Sequence, residues 1–325
     1  MLLRKLVLLC FIILCQSGLF AQKRYAFQRG LMGSEFNLVF YAPNDSIAKI
    51  AADSVFKRIG FLNAVMSDYL DGSEANRLSA SAGTGQWQKV SPEMLDVLSQ
   101  SSAISKKTKA AFDVTIGSVT QLWRRAIRRS FFPETAQIEE ARQSVGYQFV
   151  AIDHKKQSVK LLKKGTKLDF GGIGKGYAAD EGLKVLKYFG ISQALLDAGG
   201  DLAIGQSPPD KPLGWEIEIS SGLKDTTKTK MVFLKNCGVA TSGKTYRFIE
   251  HNGKRYSHIV DPSTGVGLLT HVRTTVIAAN GTIADALATA FSVLGTAHAK
   301  HVAKKFKPLR VWLLEENKEW KTHFD

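Results

Sequence analysis

The chain has 325 residues, with 44 Lys plus Arg against 29 Asp plus Glu, a net charge of +15 at pH 7, and three cysteines. Such an excess of positive charge favours an anionic ligand, an acidic partner or a membrane surface. None of the usual nucleic-acid modules is present, so nucleic acid is not expected as a partner.

Arg4 and Lys5 precede an apolar run from Leu6 to Phe20 that closes on Leu19-Phe20-Ala21. This pattern predicts a signal peptide over residues 1–21. The run falls short of the roughly 20 apolar residues that a membrane span needs. An exported, periplasmic protein is expected, and membrane association only through a lipid anchor. Cys15 would be the anchoring residue, but Leu14 before it is bulky where a small side chain is wanted. Removing the leader takes Cys10 and Cys15 with it, so Cys237 is left alone and the fold must be held by its core. Cys237 has no Cys or His at metal spacing and reads as a buried thiol.

Residues 22–325 read as one unit, because no repeat, linker or low-complexity segment interrupts them. Residues 25–41 predict one or two strands with a turn inside. Apolar residues at 47, 51, 55, 59, 62, 66 and 69 predict a helix over 46–70, and a polar loop follows to Leu78. Ser91 before Pro92 is an N-cap signature for a helix towards Thr108. Ala111-Phe112-Asp113-Val114-Thr115-Ile116-Gly117 is an apolar run broken by one carboxylate, and Trp123-Arg-Arg-Ala-Ile-Arg-Arg predicts a helix with a solvated basic face. A hairpin is expected over 149–153 and 158–162, and a helix after Gly176 that Gly190 stops. Residues 194–205 predict a strand with a bulge or sharp bend at Gly199-Gly200, and 215–220 alternate as a half-buried strand. Asn252-Gly253 marks a hairpin between 246–250 and 254–260. A strand over 274–279, a helix over 283–294 stopped by Gly295, and a last strand over 310–314 complete the chain. Hairpins with helices between them predict an α+β fold with largely antiparallel sheets.

The chemistry concentrates in a few places. Asp169-Phe-Gly171-Gly172-Ile-Gly174-Lys175-Gly176 leads into a helix, so its backbone can approach a phosphate at a helix N-terminus. It is neither a Walker loop, since Gly176 stands where Ser or Thr is required, nor a dinucleotide fingerprint. Alone it is equally a structural turn. Asp285 and Thr289 lie one helical turn apart, opposite the apolar face of Ile283, Leu287 and Phe291. They are hard-oxygen donors suited to Mg²⁺, or else the wet face of an amphipathic helix. The alanines around them argue for close packing. His258 borders a turn rich in Asp, Ser and Thr, where it would act as a general base or be held in the turn by hydrogen bonds. Thr241-Ser242-Gly243-Lys244 has the look of a phosphate or ribose contact, and Asp197 and Asp201 read as turn residues rather than a second acidic site.

In this order and spacing the blocks Leu31-Met32-Gly33, Tyr69 to Leu78, Ala111 to Gly117, Asp169 to Asp180 and the C-terminal set from Ala240 to Ala290 resemble the FAD:protein FMN transferase, or ApbE, family. The resemblance implies a T-fold-like α+β architecture and an exported, Mg²⁺-dependent enzyme. Such an enzyme splits FAD at its pyrophosphate, passes FMN to a Thr or Ser hydroxyl of an acceptor protein and releases AMP. Acceptors implied are flavin-carrying subunits of membrane redox complexes. By the same resemblance Met32, Tyr69, Ala111, Phe112 and Asp113 fall on the flavin pocket, and Asp169, Lys175 and Ser242 on the rest of the cofactor site. A main-chain oxygen near Gly172, with Asp285 and Thr289, falls on the metal site, and His258 lies beside the scissile phosphate. Gly171-Gly172 departs from the Ser-containing pairs common in relatives, and Ser34 stands where Thr is common. Two other readings share these residues: an FAD pyrophosphatase using water, and a non-enzymatic exported flavin-binding protein. The second has no need of Asp285 and Thr289.

Overall fold

The computed structural model describes residues 22–220, 229–243, 248–269, 272–315 and 318–323. The expected signal peptide, and Lys244 and Tyr246, lie outside the described residues.

The chain begins with a hairpin, β1 (Lys23–Leu31) and β2 (Ser34–Ala42). Met32 and Gly33 both take positive φ, 48° and 69°, which makes the two-residue turn whose twist matches the strands. Helix α1 (Asp45–Met66) follows, capped by Asn44, whose side chain accepts from the Ile47 N–H. The helix stops earlier than its apolar spacing predicts. Ser67 Oγ accepts the Tyr69 and Leu70 N–H groups at 3.3 and 3.2 Å, a local alternative to the next helical turn. Within the expected loop lies a short helix, α2 (Glu74–Ala80), capped by Ser73. Only Ala75 and Leu78 of it are buried, too few for a periodic signal.

Helix α3 (Pro92–Thr108) has the expected Ser91 cap. Strands β3 (Gln88–Lys89), β4 (Val150–Asp153) and β5 (Ser158–Leu161) form a small sheet in the order β3-β5-β4. Helices α4 (Gly117–Arg129) and α5 (Thr135–Arg142) lie between. Helix α6 (Gly174–Tyr188) ends at Gly190, φ 71°, as expected. The bend at Gly199-Gly200 is a full reversal, with both glycines at positive φ, and it divides the segment into β6 (Ala194–Ala198) and β7 (Leu202–Ile204).

Then come β8 (Trp215–Ser220), β9 (Thr229–Leu234), β10 (Cys237–Ser242), the Asn252-Gly253 hairpin of β11 (Phe248–His251) and β12 (Lys254–Ser257), and β13 (Val272–Ala278). Helix α7 (Gly281–Ala303) runs past Gly295, contrary to expectation. Gly295 does leave helical geometry, but Glu315 Oε2 accepts the Thr296 N–H and hydroxyl at 3.2 and 2.9 Å and recaps the chain, so helix resumes. After β14 (Leu309–Glu315) comes one more strand, β15 (Lys318–His323), whose largely polar sequence hides it.

Eight strands join in one antiparallel sheet, β1-β2-β6-β7-β10-β13-β14-β15. Phe36, Leu38, Phe40, Leu196, Ala240, Val276 and Leu313 pack with α1, α6 and α7 in the main core. On the other face Tyr41, Ile204, Val239, Ile277 and Trp312 are covered by the β8–β9 hairpin through Trp215, Ile219 and Leu234. A third cluster, around Trp123, Ile138 and Ile249, fastens the β11–β12 hairpin to α4 and α5.

Helices α6 and α7 approach backbone to backbone. A Cβ on Gly176 would lie 2.2 Å from the Gly281 carbonyl oxygen and 2.8 Å from Asp285 Cβ, and neither can move away freely. Gly60, inside α1, faces open space. Gly176→Ala should therefore cost at least the upper part of the 1–3 kcal/mol range typical of overpacking, about 3 kcal/mol. Gly60→Ala should gain about 1 kcal/mol from helix propensity. Urea denaturation of the two variants measures both; a neutral Gly176→Ala contradicts the contact.

Candidate active site

The glycine-rich turn is built onto the 113–117 block. Asp169 N–H donates to Val114 O at 2.7 Å and Gly117 N–H to Lys167 O at 3.0 Å, while Ile116 and Lys167 form an isolated parallel bridge. Ile173 and Gly174 N–H both donate to Phe170 O, which winds the chain into α6. Asp169 organises the turn from its side chain. Its Oδ1 accepts the Gly171 N–H at 2.8 Å, and its Oδ2 accepts the Thr120 hydroxyl at 2.6 Å and pairs with Arg124.

The turn then meets α7. A Cβ on Gly172 would fall 2.9 Å from Thr289 Oγ1, so only glycine lets the backbone lie directly over that hydroxyl. Four residues on, the Gly176 N–H donates to Asp285 Oδ2 at 3.0 Å. Asp285 and Thr289 thus face protein, and the alanines beside them are what permits the approach. The wet-face alternative does not hold: Asp285 is 5% exposed.

Charge is concentrated here. Lys175 pairs with Asp201, which is buried. Burial opposes the charge of Lys175, but Asp201 and Asp285 more than offset it and raise its pKa. Burial pushes the Asp201 carboxyl up, with Lys175 resisting. Burial pushes Asp285 well above the ordinary carboxylate range, the charge of Asp201 adds to the push, and Lys175 opposes it.

These groups line one cleft of about 1570 Å³. It contains Asp169, Gly172, Lys175, Asp285 and Thr289 from the turn and α7. Tyr69, Ala111, Phe112, Asp113, Ser242 and His258 line it as well. Met32 is not among the lining residues. It sits at the β1–β2 turn with its methyl group 3.7 Å from where a Gly174 Cβ would be, against the glycine-rich turn. Asp113 reaches the cleft but uses its carboxylate internally: Oδ1 accepts the Thr115 N–H and hydroxyl, Oδ2 the Tyr147 N–H. Burial raises its pKa against those three bonds. Asp261 is likewise engaged in its own turn, accepting the Ser263 N–H and hydroxyl at 2.8 and 2.7 Å.

Two cleft residues escaped the sequence reading. Asp201, taken for a turn residue, is the buried partner of Lys175. Arg124, taken for part of a solvated face, pairs with Asp68 and Asp169, while Arg125, Arg128 and Arg129 are not drawn into that pairing. The available signal was its spacing of four from Thr120, which also points at Asp169.

The donor set fits a hard cation such as Mg²⁺. Asp285 and Thr289 offer a carboxylate and a hydroxyl one helical turn apart, the main chain at Gly172 lies against that hydroxyl, and Mg²⁺ commonly fills its shell with water and substrate phosphates. Among the described residues no group of three or more His, Cys, Asp or Glu could hold a metal unaided.

The model of the ApbE family matches residues 32–313. A FAD:protein FMN transferase of Haemophilus influenzae is 30% identical over 262 residues, spanning 78% of this chain and 75% of that protein. The FAD:protein FMN transferase of Escherichia coli K12 is 31% identical over 265 residues, with 79% and 75% covered. The apo crystal structure of the flavinyl transferase ApbE of Pseudomonas stutzeri matches with a TM-score of 0.81 at 27% identity, over 94% of this chain and 96% of that one. The chain belongs to the ApbE family, and it is a transferase. Its antiparallel α+β fold is the ApbE architecture that the sequence blocks implied.

Asp285→Asn keeps an oxygen for the Gly176 N–H and removes a buried negative charge beside Asp201. In EDTA at pH 8 the Asp285→Asn variant should therefore unfold at a temperature no lower than the parent chain. A fall of several degrees by calorimetry would show that the charge itself holds α6 to α7.

Proposed function

We propose that the chain transfers FMN from FAD to a Ser or Thr hydroxyl of an acceptor protein, with Mg²⁺, and releases AMP. The observation that carries this reading is the single cleft that joins the glycine-rich turn, the Asp285–Thr289 cradle and His258. The naming of the relatives as FAD:protein FMN transferases supports flavin transfer in particular.

FAD is the anionic ligand that the net charge of +15 favours. The glycines at 171, 172, 174 and 176, around the start of α6, let a phosphate approach the main chain closely, and the positive end of the helix favours its charge. Asp285, Thr289 and the main chain at Gly172 would hold the Mg²⁺. When bound, the ion would neutralise charge on the pyrophosphate oxygens. His258 removes the proton from the acceptor hydroxyl. The hydroxyl oxygen forms a bond to the FMN phosphorus, the P–O bond to the bridging oxygen breaks, and that oxygen leaves with AMP. Lys175, kept charged by Asp201 and Asp285, faces the same cleft and favours the anion. Tyr69, Ala111 and Phe112 supply apolar and aromatic surface for the flavin ring. Export fits the leader pattern over residues 1–21, and acceptors would then be flavin-carrying subunits of membrane redox complexes.

The test is incubation of a chain beginning at Gln22 with FAD, Mg²⁺ and an acceptor domain, followed by mass spectrometry and AMP assay. Equal amounts of acceptor-bound FMN and AMP are expected, and none of either in EDTA. His258→Ala should slow transfer about 10²–10⁴-fold, the usual worth of a general base. Free FMN and AMP with an unlabelled acceptor would instead establish a pyrophosphatase. Full-rate transfer by the His258→Ala variant would remove His258 from the chemistry.

A further inference from the structure

The cleft wall that carries Tyr69 and Asp169 is held by one cation. Arg124 leaves α4 inward, one turn after Thr120, and its guanidinium pairs with Asp68 and with Asp169. The same group lies 4.5 Å from the centroid of the Tyr69 ring. Both carboxylates are buried at the contact, with side chains 6% exposed, whereas Tyr69 is 71% exposed. The main chain of the Tyr69 loop has its own supports, since Asn76 Nδ2 donates to the Asp68 and Leu70 carbonyls. What Arg124 adds is the placement of side chains. The Tyr69 ring depends on the guanidinium face at its side, and the Asp169 carboxylate is turned by Arg124 and Thr120 together. Burial and the charge of Asp169 raise the pKa of Asp68, and Arg124 is what lets the two carboxylates stand in one wall.

We propose that Arg124 is a positioning residue for FAD, which joins Tyr69 and Asp169, a hundred residues apart in sequence, into one preformed surface for the flavin end of the molecule. This rests on the reading of the cleft as an FAD site and goes beyond it by naming the side chain that sets its affinity. The planar guanidinium is suited to the task because it reaches two carboxylates through its edge while stacking through its face. Lysine offers a point charge and no such face, so it can replace only part of the arrangement. Since Arg124 shapes the ground-state pocket and touches no reacting bond, its loss should appear in binding and spare the chemical step.

The experiment compares Arg124→Gln, Arg124→Lys and the double variant Arg124→Gln/Asp68→Asn with the parent chain. The double variant removes the carboxylate that the single change leaves without its cation, so a folded protein is available even if Arg124→Gln is unstable. FAD affinity is measured by flavin fluorescence without acceptor, and KM and kcat by AMP release with acceptor. Both glutamine-containing variants should bind FAD at least tenfold more weakly and raise its KM by a similar factor, with kcat at saturating FAD within about threefold. Arg124→Lys should fall between them and the parent. Unchanged FAD affinity in a folded variant, or a drop in kcat at constant KM, overturns the proposal. A parent chain that binds no FAD removes the functional reading itself, and this inference with it.

Discussion

The site depends on the contact between the first turn of α6 and the first turns of α7. Gly176 donates its N–H to Asp285, its Cα faces the Gly281 carbonyl with no room for a side chain, and Gly172 lies over the Thr289 hydroxyl. One backbone contact thereby brings the start of α6 against the Asp285 carboxylate and the Thr289 hydroxyl. The rest of the molecule is arranged to hold it. The eight-stranded sheet backs both helices, and Asp180 ties them a second time by accepting the Gly281 and Thr282 N–H groups at 2.8 Å.

This construction carries an electrostatic burden. Asp201 and Asp285 are buried near one another with Lys175 as their counter-charge, and burial drives both carboxyl pKa values up. Paired charges in an interior rarely repay their desolvation, so a packed apolar cluster would have served stability better. A cation and an anionic substrate entering the same cleft would complete the balance. The Arg124 cluster follows the same plan, with two carboxylates around one cation.

Much of this was legible in sequence where a single residue type answers a local geometric demand. The Asn252-Gly253 hairpin, the Ser91 cap and the Gly190 stop each follow from one side chain or its absence. The Asp285–Thr289 pair was half legible, because the two share a helix face by spacing, while the backbone they face is more than a hundred residues away. Arg124 and Asp201 are hard to read from sequence for a related reason. A cation within a run of arginines and an acid beside two glycines have ordinary surface explanations, and only their tertiary partners, Asp68, Asp169 and Lys175, distinguish them. Likewise Gly295 looked like a helix stop because the residue that recaps the chain, Glu315, belongs to a strand beyond it. Met32 reaches the glycine-rich turn beside Gly174 from the β1–β2 reversal, where its own φ is positive.

The central claim is that the backbone at Gly172, the Thr289 hydroxyl and the Asp285 carboxylate form one prepared site for a hard divalent ion. Anomalous diffraction from crystals grown with FAD and Mn²⁺ in place of Mg²⁺ tests it without reference to turnover. A single manganese peak bounded by Asp285, Thr289 and the main chain at Gly172, and lost in Asp285→Asn, is the expected result. Manganese bound elsewhere in the cleft, with Asp285 still turned only to the Gly176 N–H, would contradict it.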